Sequence, residues 1–394
     1  MTKVFDLRQT DDPRDFIHRT VQALTEGQVV ALPTDTSYGF AAHALNESAV
    51  KRLAELRGQV GAPLAISVRS RQAAEDFFCE PAPVARRLAH RCWPGPLTLV
   101  TPCDNPHSAI GQLPGNVREL IVGERQTVGF RVADHRILES IHRFMAAPLV
   151  LTGAHRLDST DKGGNPNFEA QGVLDQFRGE VPLLLDDGPT RYGGVSTVAR
   201  VIESRWELLR EGVIERAAMN QFVKPVIVLV CTGNTCRSPM AETLMRELLL
   251  KKLGREDAVR VLSAGVAASV GSCASPQAIE VMGERTLDLT GHASQPLGDE
   301  IMNVADLVLT MTRAHRAAIL AAWPEMHDRV FTLRRDGGDI TDPIGMPVDS
   351  YRKCADQMEN ELSVWLEHLG EDFFPVAADD VSPTDSIDED QESA

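Results

Sequence analysis

The sequence predicts two α/β units in one chain, and three observations carry that reading. Its 394 residues exceed what a single hydrophobic core usually covers. From Val4 to about Arg210, short apolar runs alternate with amphipathic stretches of helical period. A second alternation of the same kind begins at Pro225 and closes near residue 369, and it reads as a doubly wound parallel sheet of four strands with helices on both faces. No internal repeat relates the two halves.

In the first half the apolar runs are Val29–Leu32, Leu64–Val68, Leu97–Val100, Leu149–Leu151 and Leu183–Leu185, each short enough for a buried strand and too short for a packed helix. Residues 1–215 are assigned to this unit and 216–224, which has weak periodicity and ends in Lys-Pro, to a linker. In the second half, strands are expected at 226–231, 259–263, 306–311 and near Val330. Helices are expected at 239–253, 275–285, 312–322 and about 349–369. Leu244, Met245, Leu248 and Leu249 would be the buried stripe of the first of these helices. Residues 370–394 hold nine acidic residues and no Lys or Arg, with prolines and serines between them, and read as a disordered acidic tail.

Composition excludes several classes. Apolar residues make up 43% of the chain, normal for a soluble globular protein, and no apolar run is long enough to span a bilayer. The N-terminal residues lack a signal peptide's hydrophobic segment, so a cytoplasmic location is expected. The net charge of −16 falls to −7 without the nine acids of the tail, a value that neither suggests nor excludes a local basic cleft. Seven scattered cysteines argue against a disulfide framework and for reduced thiols.

Chemistry concentrates at Pro225-Val-Ile-Val-Leu-Val-Cys231-Thr-Gly-Asn-Thr-Cys236-Arg237-Ser238-Pro239. Five apolar residues form a strand that delivers Cys231 to a strand end, where ligands of doubly wound sheets bind. Ser238 is expected as N-cap and Pro239 as the first helical residue, so the loop sits on a helix N-terminus whose N–H groups and dipole favour an anion and a thiolate. Thr232, Gly233, Asn234, Thr235 and Cys236 would turn their N–H groups onto a phosphoryl group, with Gly233 and Asn234 tolerating left-handed backbone. Arg237 closes the ring as a bidentate phosphate binder, and Ser238 can hydrogen-bond the Cys231 thiolate. Asp342, in the turn Asp342-Pro343-Ile344-Gly345, is the candidate acid and then base. The reaction these parts support is phosphomonoester or phosphoamide hydrolysis through a phosphocysteine, with no metal. A metal reading of Cys231 and Cys236 lacks a second pair of ligands.

Together with Ser263-Ala-Gly265 and Ala305–Thr312, this pattern resembles the low-molecular-weight protein tyrosine phosphatases over 225–369. The resemblance implies Cys231 as nucleophile, Arg237 as phosphate binder, Asp342 as proton donor, no cofactor, and a phosphorylated protein as substrate. Thr235 stands where tyrosine-directed members carry an aliphatic residue, so the loop looks like that of the bacterial protein-arginine phosphatases. Ile344 departs from both groups, which have an aromatic residue there, leaving phosphotyrosine and phosphoarginine both open as substrates. Cys236 is read either as a small loop residue or as the partner of Cys231 in a reversible disulfide, the second being implied by the resemblance.

Leu32-Pro-Thr34-Asp-Thr-Ser-Tyr-Gly39 follows a predicted strand and offers hydroxyls and a carboxylate for a polar pocket floor. With Trp93–Thr98, Thr127–His135, Val195–Val198 and Leu209–Gly212, it resembles the YrdC/Sua5 family over about 10–215. The resemblance implies an open, twisted α/β sheet with a basic cleft, and L-threonylcarbamoyladenylate synthesis from ATP with magnesium, L-threonine and bicarbonate. Its partners would be tRNA or the tRNA threonylcarbamoylation machinery, and nucleotide and double-stranded RNA binding follow. Thr34, Thr127, Arg131, Ser196 and Arg210 match residues that contact threonine or nucleotide in the family. Arg57-Gly58-Gln59 replaces the family's Lys-x-Arg, Ser67 replaces a histidine, and Gly153-Ala154-His155 replaces Ser-Ala-Asn. Loss of a cation and a hydroxyl leaves three readings open at this point: an active synthase, a non-catalytic nucleotide- or RNA-binding module, or a structural remnant.

Overall fold

The computed structural model describes residues 1–58, 64–78, 81–103, 108–156, 165–374 and 376–377. Gln59, Cys79 and all but the first part of the expected acidic tail lie outside these residues. The chain divides into two compact units, one holding residues through Phe222 together with Val376 and Ala377, the other Val223–Pro375.

The first unit is built on one mixed sheet. Its strands are β1 (Lys3–Asp6), β2 (Val30–Leu32), β3 (Gly39–His43), β4 (Ala65–Ser67), β5 (Leu97–Pro102), β6 (Val122–Gly123), β7 (Thr127–Arg131), β8 (Leu149–Gly153), β9 (Leu183–Asp186), β10 (Thr197–Ile202) and β11 (Arg205–Arg210). They run in the order β1-β9-β2-β3-β8-β4-β7-β5-β10-β11, with β6 hydrogen-bonded to β7. The centre is buried on both faces, as the apolar runs require: β2 and most of β3 and β8 are inaccessible to solvent. The helices Arg14–Thr25 and Arg136–Phe144 cover one face, contributing Ile17, Leu24, Ile137, Leu138 and Ile141 to a core with Val30, Leu32 and Leu149.

Within 216–224, read as a linker, Arg216–Phe222 is helical and buries Met219, and the division between the units follows Phe222. One sequence expectation is corrected here. The expected tail begins with order: after a short 3-10 turn at Glu371–Phe373, Val376–Ala377 forms a strand pairing in parallel with Arg205–Trp206 of β11. Few residues and an exposed edge make these segments hard to read from periodicity, which needs several turns to register.

The second unit has four parallel strands, β12 (Val226–Cys231), β13 (Arg260–Gly265), β14 (Leu307–Thr310) and β15 (Val330–Thr332), in the order β13-β12-β14-β15. Side chains alternate along β12: Ile227, Leu229 and Cys231 enter one core, Val226, Val228 and Val230 the other. The first core is closed by the helices Arg237–Leu253, Pro276–Glu284 and Val348–His368, and the second by Met302, Ile319 and Met326. This is the doubly wound sheet read from the sequence. Leu244, Met245 and Leu249 are buried as expected, and Leu248 is partly so. One boundary moves: the helix after β12 starts at Arg237, with Cys236 rather than Ser238 at its N-cap. Arg237 and Ser238 therefore lie in its first turn, pointing back over the strand end. Among the described residues no helix is long and apolar enough to cross a membrane.

Candidate functional site

In the second unit the chain leaves β12 at Cys231, turns through five residues and enters a helix at Arg237. Asn234 takes φ +54, the left-handed backbone that lets so short a loop curl, and it is fully buried. Gly233, expected to share that role, does not have a positive φ. The turn is held by Asn234's side chain, whose Nδ2 donates to Ser238 Oγ at 2.9 Å and Ser263 Oγ at 2.8 Å while Oδ1 accepts from Gln295 N–H at 2.9 Å. His292 Nε2 hydrogen-bonds the Asn234 carbonyl at 2.7 Å. Ser263, His292 and Gln295 were not expected from the sequence as supports of this loop, because they come from distant segments.

Cys231 is 3% exposed, at the floor of the loop. Its Sγ accepts from Asn234 N–H at 3.2 Å and lies 3.0 Å from Ser238 Oγ. The helix that begins at Arg237 stands behind this sulfur. Cys236 Sγ donates to Ser275 Oγ at 3.4 Å and lies 3.6 Å from the Tyr351 hydroxyl. Thr235 Oγ1 is 3.7 Å from that sulfur, and Thr235's carbonyl accepts from Ser275 N–H at 2.8 Å.

Arg237 is 4% exposed; its Nη1 donates to the Ile340 carbonyl at 3.2 Å and its Nη2 pairs with Asp342 Oδ2. The structure thus brings Asp342 to the Arg237 guanidinium. Asp342 is held by its own turn: Ile344 N–H donates to Oδ1 at 3.3 Å, Met346 N–H reaches the Pro343 carbonyl at 3.0 Å, and Gly345 takes φ +74. Ile344 is 65% exposed on this turn. Cys231 thus ends β12, and Arg237, the residue that closes its loop, pairs with Asp342.

In the first unit the candidate residues gather around Arg131 at the end of β7. Arg131 is 4% exposed and its Nη2 donates to Asp35 Oδ1 at 2.6 Å and to Thr36 Oγ1 at 3.2 Å. Thr34 Oγ1 lies 3.1 Å from Thr36 Oγ1 and donates to the Ser37 carbonyl at 2.6 Å, so the loop after β2 is folded onto the arginine. Arg131 is in register with Ser67 on β4 and Thr98 on β5. Thr98 Oγ1 meets Ser196 Oγ at 3.2 Å, and Arg210 donates to the Ser196 carbonyl at 2.9 and 3.1 Å and to its hydroxyl at 3.0 Å. Burial lowers the Arg210 pKa to about 10, and the nearby charges of Arg57 and Arg131 add to the effect. Burial lowers that of Arg57 as well. Arg210 thus lies within reach of two other guanidiniums, a concentration of positive charge that an anion would relieve.

Thr127 does not join them. It begins β7, four residues from Arg131, which places it about 13 Å away at 3.3 Å per residue. Its hydroxyl donates to the Glu124 carbonyl at 2.8 Å, a local turn contact. Two partners were missed in the sequence. Asp35, fully buried, holds Arg131; and a histidine does stand beside Ser67, since His142 Nε2 lies 2.9 Å from Ser67 Oγ. A buried Asp next to threonines in a strand-end loop was a signal available for the first; nothing local marks the second. Among the described residues no cluster of three or more His, Cys, Asp or Glu side chains could hold a metal ion.

Comparison with known proteins separates along the same division. Residues 22–212 match the Sua5, YciO and YrdC family, described as telomere recombination. Residues 226–374 match the family described as low molecular weight phosphotyrosine protein phosphatase. Over 150 residues the chain is 41% identical to a protein-arginine-phosphatase of Bacillus subtilis, covering 37% of this chain and 97% of that protein. Over 195 residues it is 37% identical to a threonylcarbamoyl-AMP synthase of Pyrococcus abyssi, covering 48% of this chain and 52% of that protein, so the chain spans about half that relative's length. A crystal structure of a YwlE mutant from Bacillus subtilis is 40% identical, with a TM-score of 0.35 over 37% of this chain and 98% of that one.

Proposed function

Since the chain belongs to the low-molecular-weight phosphatase family through its second unit and to the Sua5/YrdC family through its first, we propose that it is a cysteine-dependent phosphoprotein phosphatase carrying a threonylcarbamoyl-adenylate synthase unit. The observation that carries the phosphatase reading is the Cys231 sulfur, held between Asn234 N–H and Ser238 Oγ, in one mouth with the Arg237–Asp342 pair.

The geometry orders the steps. A phosphoryl dianion entering the loop competes with Asp342 for Arg237, which frees the carboxyl group to act on the leaving atom. The Cys231 thiolate attacks phosphorus, an S–P bond forms, the P–N or P–O bond to the protein side chain breaks, and Asp342 gives its proton to the leaving atom. Water then attacks phosphorus while the Asp342 carboxylate takes its proton. The S–P bond breaks and inorganic phosphate leaves. Arg237 and the loop N–H groups bear the charge on the equatorial oxygens throughout.

Phosphoarginine is the substrate this reading favours. Thr235 carries a hydroxyl at the loop position where an aliphatic residue marks tyrosine-directed members, and the relative named above is an arginine phosphatase. A guanidinium nitrogen is also the more basic leaving group, so it depends more on Asp342. The test compares phosphate release from phosphoarginine and phosphotyrosine peptides by wild type, Cys231→Ser and Thr235→Ile. Cys231→Ser should abolish release yet retain binding. Thr235→Ile should shift the preference toward phosphotyrosine by about tenfold; an unchanged ratio defeats the assignment.

For the first unit, the convergence of Arg57, Arg131 and Arg210 supports a polyphosphate site, with Thr34 beside it for threonine. ATP, L-threonine and bicarbonate should yield pyrophosphate and threonylcarbamoyl-adenylate for tRNA modification. Pyrophosphate release that requires threonine checks this, and its absence at saturating substrates would refute it.

A further inference from the structure

His315 is a buried titratable group that none of the steps above uses. It lies in the first turn of the helix Arg313–Ala322, whose N-cap Thr312 accepts its N–H at 3.2 Å, directly after β14. Because β14 is the parallel neighbour of β12, this first turn stands beside the loop that follows Cys231. His315 is 7% exposed, its Nε2 is 2.8 Å from Thr232 Oγ1, and its Nδ1 is buried with no hydrogen-bond partner among the described residues. Thr232 itself is exposed at the mouth, next to the nucleophile.

That asymmetry selects a tautomer. Burial and the Arg237 guanidinium lower the His315 pKa, against the opposing carboxylates of Asp342 and Asp339, so the ring is neutral and carries one N–H. With the proton on Nδ1, a donor would be buried unpaired; with the proton on Nε2, only an acceptor is. Buried orphan donors are the rarer and costlier of the two. The Nε2–H then donates to Thr232 Oγ1, and the threonine's own hydroxyl proton has no claim from the histidine.

We propose that His315 is a positioning residue: by donating to Thr232 Oγ1 it turns the Thr232 hydroxyl proton toward the phosphoryl group, adding a side-chain donor to the N–H groups of the loop. Were the histidine instead the acceptor, the hydroxyl would be spent on the ring and could offer the phosphoryl oxygens only lone pairs. The inference rests on the phosphatase reading for its kinetic consequence but not for the tautomer.

Two measurements on the full chain test it. Nitrogen-15 side-chain spectra of the Cys231→Ser protein at pH 7 should show His315 neutral with its proton on Nε2; a proton on Nδ1 overturns the proposal whatever the chain hydrolyses. In steady-state kinetics, His315→Phe should lower kcat about tenfold, the value of one hydrogen bond made in the transition state, with KM within about twofold. Thr232→Val should lose as much, and the double variant no more. His315→Gln, whose amide nitrogen reaches the place of Nε2, should recover to within about threefold. Additive losses, or His315→Gln no better than His315→Phe at equal thermal stability, would mean a purely structural role. A wild type that releases no phosphate would count against the phosphatase reading alone, because the spectra stand apart from it.

Discussion

At the scale of single residues, buried groups owe their ionisation to what surrounds them. His142 is 6% exposed beside Ser67, and burial holds its pKa down at about 4 against an ordinary 6.5. The folded state prefers it neutral, so its contribution to stability is complete above the ordinary value and is lost as the pH falls from 6.5 toward 4. Between pH 7 and 5 this should cost the first unit about 2 kcal/mol. Urea titrations across that range check it: His142→Leu should flatten the acid limb, and an unchanged slope would reject the assignment. The pairs that shape both sites were invisible at this scale in the sequence. Arg131 and Asp35 are 96 residues apart, Ser67 and His142 are 75 apart, and Thr232 and His315 are 83 apart. Local spacing speaks only about neighbours.

Elements bring those residues together, and one tight junction is where β13 ends against the Cys231 loop. A Cβ on Gly265 would lie 2.5 Å from the Thr232 carbonyl oxygen, 2.8 Å from Ala268 Cβ and 3.0 Å from Asn234 N. These are mostly backbone atoms, so the loop rather than a side chain would have to move. Gly265→Ala should therefore lower kcat/KM about 100-fold, as expected for a loop displaced by a fraction of an ångström to one ångström, while costing only about 1–3 kcal/mol of stability. Kinetics and denaturant melts on one preparation separate the two effects; full activity would show that the loop tolerates the shift. The strands of the second unit were readable because β12 to β15 are short apolar runs spaced by helices of clear period. The first unit was harder. β7 begins with a polar residue and holds Gly129, and its extended backbone sets Thr127 and Arg131 at opposite ends of the strand.

Among the described residues, one core of the first unit draws on residues 5–185 and the two flanking β12 draw on residues 226–374. The activities should accordingly dissociate under mutation. Arg57→Ala with Arg210→Ala should abolish threonine-dependent pyrophosphate release and leave phosphate release within about twofold, and Cys231→Ala should do the reverse. Measuring both products from each variant decides the matter; loss of both activities from either substitution, in a folded protein, would show that the sites depend on one another.

What the sequence determined by itself was the composition of the phosphatase loop and the order of its surrounding elements. Cys231, Asn234, Arg237 and Ser238 act within one turn of chain, and strand and helix period are local properties. Tertiary structure alone decided which distant groups complete each site. It put Asp35 on Arg131, His315 on Thr232, and Arg210 within reach of the charges of Arg57 and Arg131. Ion pairs and buried hydrogen bonds depend on distance and desolvation, and neither is written in the separation of residues along a chain.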